Sequence, residues 1–149
     1  MNAHHHEEWA LCGTLDPQAV VDTELFTDVI DMADFHQAEA AFLLGGWASE
    51  TIVCRAVTCD SAGNNAAALK TADTLAAHAT NNDNVQVIIS VRGEDLPGTT
   101  NADRYIKFGI VSGSSSGGTA AIAVFGQAKS KPATAFDLSS IKEIETDND

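Results

Sequence analysis

Few residues in this sequence are placed to do chemistry, and the first are three adjacent imidazoles, His4, His5 and His6. Imidazole is a common metal ligand. Side chains at consecutive positions of a regular element diverge, so the three cannot all face one ion. At a terminus they read as a solvated tail, or as a shortened purification tag without its linker. His36, after Phe35 and near Asp34, and His78, in an alanine-rich stretch, would need a partner and a cleft for acid–base work; the sequence supplies neither. Glu94-Asp95 could be a carboxylate pair, but adjacent loop carboxylates more often stay solvated or cap a turn. The run Gly113-Ser114-Ser115-Ser116-Gly117-Gly118 lacks the Lys-Ser/Thr that completes a phosphate-binding loop. Ser114 is not set in a Gly-x-Ser-x-Gly elbow between a strand and a helix. The expectation is a protein that is not an enzyme, with no catalytic residue, metal site or cofactor.

Cys12, Cys54 and Cys59 are odd in number and lack Cys-x-x-Cys spacing, which argues against a disulfide framework or a zinc site. Five positions apart, Cys54 and Cys59 would point to opposite faces of a strand. All three read as small buried apolar residues of a protein assembled in a reducing cytoplasm. Trp9 lies in an irregular segment and Trp47 beside Gly45-Gly46, so each is a candidate interface anchor; the alternative is that both complete the core.

The elements that would position these residues are mostly strands. Leu25–Met32 and Gln37–Leu44 are strand candidates, the second rich enough in alanine to permit helix. Thr51–Cys59, Val85–Arg92, Arg104–Val111 and Ala120–Gln127 alternate apolar and polar residues with period two. Val87, Ile89, Ile106, Phe108, Ile122 and Val124 are the expected core, buried in adjacent strands. Residues 60–65, Asp-Ser-Ala-Gly-Asn-Asn, signal a turn. Residues 66–79 are ambiguous: the alanines favour helix, and Thr71, Asp73, Thr74 and Thr80 pull the other way. Both ends look different. Asp16-Pro17 forces an extended or turned backbone, and Pro132 stops the last strand. The expected organisation is an N-terminal arm over 1–24, a β domain over 25–131 and a C-terminal arm over 132–149. The expected fold is mainly β, a single-domain β-sandwich or open barrel with extended arms. Trp9, Leu11, Leu15, Phe136, Leu138, Ile141 and Ile144 are spaced apolar side chains in those arms, which suits segments ordered by a neighbour.

Composition narrows the function. The chain has 149 residues, 44% of them hydrophobic, enough for one domain with a substantial core. Only 19% are charged, and the small neutral residues in their place suit close subunit contact. The net charge is −13, from 8 basic and 21 acidic residues. Ten carboxylates, Glu7, Glu8, Asp16, Asp22, Glu24, Asp28, Asp31, Asp34, Glu39 and Glu50, precede the first basic side chain, Arg55. With no basic stripe, phosphate neutralisation is not available, so no nucleic-acid partner is expected. The histidine- and glutamate-bearing start does not read as a signal peptide, and no apolar stretch approaches the roughly 18 residues of a membrane span.

Several ordered features resemble a family. These are Asp16-Pro17-Gln18; Val29-Ile30-Asp31-Met32 with Phe35; Gly45-Gly46 before an alternating strand; Asp60-Ser61-Ala62-Gly63; Asn84 through Arg92 with Glu94-Asp95-Leu96; Arg104-Tyr105-Ile106-Lys107-Phe108; Val124-Phe125-Gly126; and Lys131-Pro132-Ala133. Over roughly residues 15 to 145 their order and spacing are similar to small proteins encoded near the major capsid gene of tailed phages, the minor capsid or decoration (cement) proteins. The resemblance implies a mainly β virion protein on the outer head surface, bound to the major capsid protein, self-associated as a homotrimer, with no catalysis and no small-molecule substrate. It also tilts residues 66–74 toward strand. The alanines there and the histidine-rich start depart from the family's pattern. Two rival roles stand beside it: a head–tail connector or tail component, and a secreted or surface binding module using the loops at 93–102 and 113–118.

Overall fold

The computed structural model describes residues 5–47, 51–71, 75–76, 84–97, 104–113, 117–137 and 139–141, with the backbone alone at 5, 6, 70, 71, 75 and 76. After a short helical turn α1 (His5–Glu8) come β1 (Trp9–Val20), β2 (Leu25–Phe26), β3 (Ile30–Asp31), β4 (Phe35–Trp47), β5 (Thr51–Cys59), β6 (Ala67–Thr71), β7 (Leu75–Ala76), β8 (Gln86–Arg92), β9 (Tyr105–Ser112) and β10 (Gly118–Ala128). A 3-10 turn, Gly93–Asp95, follows β8.

All pairings are antiparallel. One sheet has the order β1-β10-β4-β8; the other runs β2-β9-β5-β6, with β3 also on β9 and β7 also on β5. Taking β2/β3 and β6/β7 as two interrupted strands, the eight positions divide four and four between the two sheets in the winding of a jelly roll. The protein is thus a mainly β, single-domain sandwich, as the alternation implied.

The core lies between the sheets. Period-two alternation sends Ala38, Ala40, Phe42 and Leu44 of β4 inward to meet Ile106, Phe108 and Ile110 of β9. Phe42 and Phe108 meet edge to face, centroids 6.3 Å apart. Of the expected core residues, Ile89, Ile106, Phe108, Ile122 and Val124 are buried and Val87 is half-buried against the same cluster. Their strands are not adjacent, however. β9 belongs to the opposite sheet, and β4 separates β8 from β10; alternation identifies which face is inward but not which strand is next door.

The expected N-terminal arm is corrected over Trp9–Val20, a 12-residue strand. Its register shifts between Leu11 and Gly13 and between Leu15 and Gln18. These bulges break the alternation and leave room for Pro17, which an edge strand tolerates because the outer N–H is not needed. The C-terminal arm is likewise tied down at its start: Ala133 N–H donates to the Glu7 carbonyl (2.8 Å) and Asp137 N–H to that of Leu11 (2.7 Å). Residues 133–137 therefore form a strap along β1, covering an edge that would otherwise be open. Leu25–Met32 splits in two because Thr27 is buried and its hydroxyl accepts the Phe108 N–H (3.1 Å), interrupting the side-chain alternation. The ambiguous 66–79 stretch is strand at Ala67–Thr71 and Leu75–Ala76; residues 72–74 and 77–79 lie outside the described residues.

Candidate interaction surface

Three registered rows of outward positions carry the apolar part of the β1-β10-β4-β8 sheet, and a polar row with Trp9, Gln127, Gln37 and Arg92 borders them on the Glu39 side. Leu11, Phe125, Glu39 and Ser90 make one; Thr14, Ala123, Ala41 and Ile88 the next; Ala121, Leu43 and Gln86 the third. Ile88 is 58% exposed, Leu43 47% and Phe125 37%, while the alanines between them keep the face flat. A hollow of about 300 Å³ at one end is lined by Pro17, Leu43, Gly45, Thr119 and Ala121. The apolar residues are contiguous across strands, unlike the single exposed hydrophobics any surface carries.

Beneath this face two glycines accept aromatic rings. A Cβ at Gly118 would collide with the Trp47 ring directly opposite it, and one at Gly126 with the Phe35 ring. Trp47 therefore lies across β10, buried in the core, and is corrected from candidate anchor to core residue. Leu15 is also buried, and Phe136 is half-buried against the core. Neither projects as an arm anchor would. Trp9, Leu11 and Ile141 are half-buried. Leu138 and Ile144 lie outside the described residues, as do His78 and the side chains of the His4–His6 run. The outward sheet positions Leu43, Ile88 and Phe125 were missed by the sequence reading, although the period-two pattern names them once the inward face is known.

Every cation whose side chain is described is engaged within the chain. Arg55 forks onto Glu24, Arg104 pairs with Asp31, Lys131 with Glu8, and Arg92 with Glu94 at 3.3 Å. Lys107 donates to the Gly63 carbonyl (2.7 Å) and stands 3.9 Å from the centre of the Phe26 ring. Lys129 donates to the Met32 carbonyl (3.0 Å). Glu39, half-buried in the middle of the flat face, has no cation partner among the described residues.

The candidate chemical groups are structural where they are described. Glu94 faces Arg92, while Asp95 accepts the Arg92 backbone N–H at 2.8 Å, so the adjacent carboxylates diverge. His36 is exposed beside an open hollow of about 340 Å³ shared with Gln37, Arg92, Glu94 and Lys129. No group of three metal-binding side chains occurs among the described residues. The cysteines are free. Burial pushes the Cys12 and Cys54 thiols up to about 12 and raises that of Cys59, so the nucleophilic thiolate is disfavoured at each.

No protein-family model matches the chain, and no curated protein matches its sequence. A solved structure that does match is described by the words "Bacillus endospore appendages form a novel family of disulfide-linked pili". It is 10% identical with a TM-score of 0.46, and the match covers 87% of this chain and 98% of that one. At that distance it says nothing about what this chain does.

Proposed function

We propose that the protein is a structural virion component, a decoration subunit on the outer surface of a tailed-phage head that bridges neighbouring major capsid subunits. The observation that carries this reading is the engagement of every described cation inside a chain of net charge −13. No free basic group among the described residues remains to neutralise phosphate, so packaged DNA repels the molecule and the outside of the shell is the compatible side. The ordered motifs from Asp16 to Ala133, which resemble minor capsid proteins, are the second support. Jelly rolls serve in capsids, lectins and cupins alike, so the topology accommodates the role without selecting it.

Mechanically, packaged DNA pushes outward, and each decorating subunit raises the cost of separating the capsomers it spans. Many copies multiply a moderate affinity. A homotrimer is the proposed state, suited to the points where three capsomers meet. On this reading a major capsid gene lies beside the chain's own, and the test mixes purified chain with heads assembled from that capsid protein alone. Saturation on the order of hundreds of copies per head, with a rise in the temperature at which heads rupture, is expected. Saturation at roughly a dozen copies, as symmetry at one portal would give, makes it a connector instead, and no uptake overturns the proposal.

A further inference from the structure

Resting on that reading, we infer that the chain grips the capsid with the outer face of the β1-β10-β4-β8 sheet. Its partner there is an apolar protein patch that carries one lysine or arginine opposite Glu39. Leu43, Ile88 and Phe125 stand out from a floor of Ala41, Ala121 and Ala123, so a flat apolar partner can approach without side chains of this chain having to move aside. Glu39 sits among them, in register with Phe125 on one side and Ser90 on the other. Covering it without a counter-charge would bury an unpaired carboxylate, which costs far more than the apolar contact returns. Arg92, in the row beside Glu39, is paired with Glu94, and the other described cations are engaged elsewhere, so the compensating charge comes from the partner.

The same charge argument weighs against a second copy of this chain as the occupant. Two such faces laid together about a two-fold axis would bury two Glu39 carboxylates, and the described cation on that face, Arg92, is already paired with Glu94. Size points the same way. The part of the face that all four strands share is seven residues deep, set by β8, and at about 4.8 Å per strand it spans on the order of 450 Å², short of the roughly 800 Å² per partner typical of a specific pair. A contact of that size holds when it is repeated over a lattice, as on a capsid.

The test measures binding to the same undecorated heads by wild type and by Ile88→Glu, Leu43→Glu, Glu39→Gln and, on the loop above the other sheet, Ser61→Glu. The altered side chains are exposed or half-buried, and unchanged melting confirms folding. Ile88→Glu and Leu43→Glu are expected to weaken binding by about tenfold or more, the scale of a central interface contact. Glu39→Gln should weaken it less and flatten its dependence on salt; Ser61→Glu should bind like wild type. Wild type that binds while all the face variants bind equally well overturns this inference and leaves the proposed function standing. Heads that take up no wild type overturn both. Glu39→Gln binding more tightly than wild type removes the cation from the proposal. Loss of a homo-oligomer in Ile88→Glu alone, seen by mass photometry, assigns the face to a second copy and overturns it.

Discussion

The two sheets treat their outward faces differently. The β2/β3-β9-β5-β6/β7 sheet covers itself with its own chain. Lys107 lies over the Phe26 ring and holds the Gly63 carbonyl of the β5–β6 turn, and Arg55 is forked onto Glu24. Arg104 pairs with Asp31 and stands over Tyr105. Under this cover Val57 is 1% and Cys59 2% exposed, although neither belongs to the cluster between the sheets. The β1-β10-β4-β8 sheet instead leaves Leu43, Ile88 and Phe125 in the open. A face closed by its own ion pairs is complete in one chain. A bare apolar face around a carboxylate with no cation partner among the described residues is where the partner inferred above would sit.

Both faces stand on one shared layer, and the largest expected effect is there. Phe108 is fully buried and touches Phe42 of the other sheet. Phe108→Ala should cost about 3–5 kcal/mol, read as a shift in denaturant midpoint with both sheets lost in one transition. A loss below about 1 kcal/mol, or two separate transitions, would mean that the sheets do not depend on a common core. Next in size is truncation after Pro132. Ala133 is buried and Phe136 packs on the core, so removing residues 133–149 should destabilise the domain by about 2–3 kcal/mol, the value of burying one large apolar side chain. An unchanged midpoint would restore a free arm and return the search for the clamp to that end.

What was legible in the sequence follows from period. Thr51–Cys59 alternates over its first six residues and is β5 with the same bounds; Cys54 and Cys59 point to opposite faces, one into the core cluster and one outside it. β1 was hidden because two bulges and Pro17 break its alternation, while the hydrogen bonds that make it a strand come from β10, about a hundred residues away in sequence. Trp47 illustrates the same limit. Beside Gly45-Gly46 it looks like an exposed tip, and only its pairing with Gly118 shows the ring lying across a neighbouring strand. The outward face was recoverable in principle, since fixing Val87, Ile89 and Val91 as inward makes Ile88 outward. The irregular ends, rich in spaced apolar residues, give the stronger signal in the sequence and mask it.

Smaller changes on the two faces sharpen the contrast directly. Glu24→Gln removes the charge that holds Arg55 on the covered sheet. It should cost about 1 kcal/mol, since the pair is only partly shielded from solvent. Ile88→Ser on the bare sheet should change stability by no more than about 0.5 kcal/mol while reducing adhesion to heads. The informative measurement is the pair of melts together with head binding. Stability lost at Ile88 and binding lost at Glu24 would reverse the roles assigned to the two faces.

The smallest expected effect concerns the strap on β1. Burial pushes the Asp137 carboxyl up, but hydrogen bonds from Ser139, Ser140 and Thr14 outweigh it and hold the group below the usual carboxylate range. A carboxyl depressed in the folded state stabilises fully above its unfolded value, near 4, and loses that contribution as pH falls through the lower folded value. Amide protection at Asp137, whose N–H is held by the Leu11 carbonyl, should therefore fall below about pH 4. Protection at Phe108, in the core, should persist further into acid. In Asp137→Asn the same amide should be less protected already at neutral pH and respond little to acid, with the Lys131–Glu8 pair at the head of the strap left in place. Equal loss at Asp137 and Phe108 on acidification would mean that the whole domain opens at once. The strap would then be part of the cooperative core, and the edge of the bare sheet would be as firmly closed as the covered face opposite.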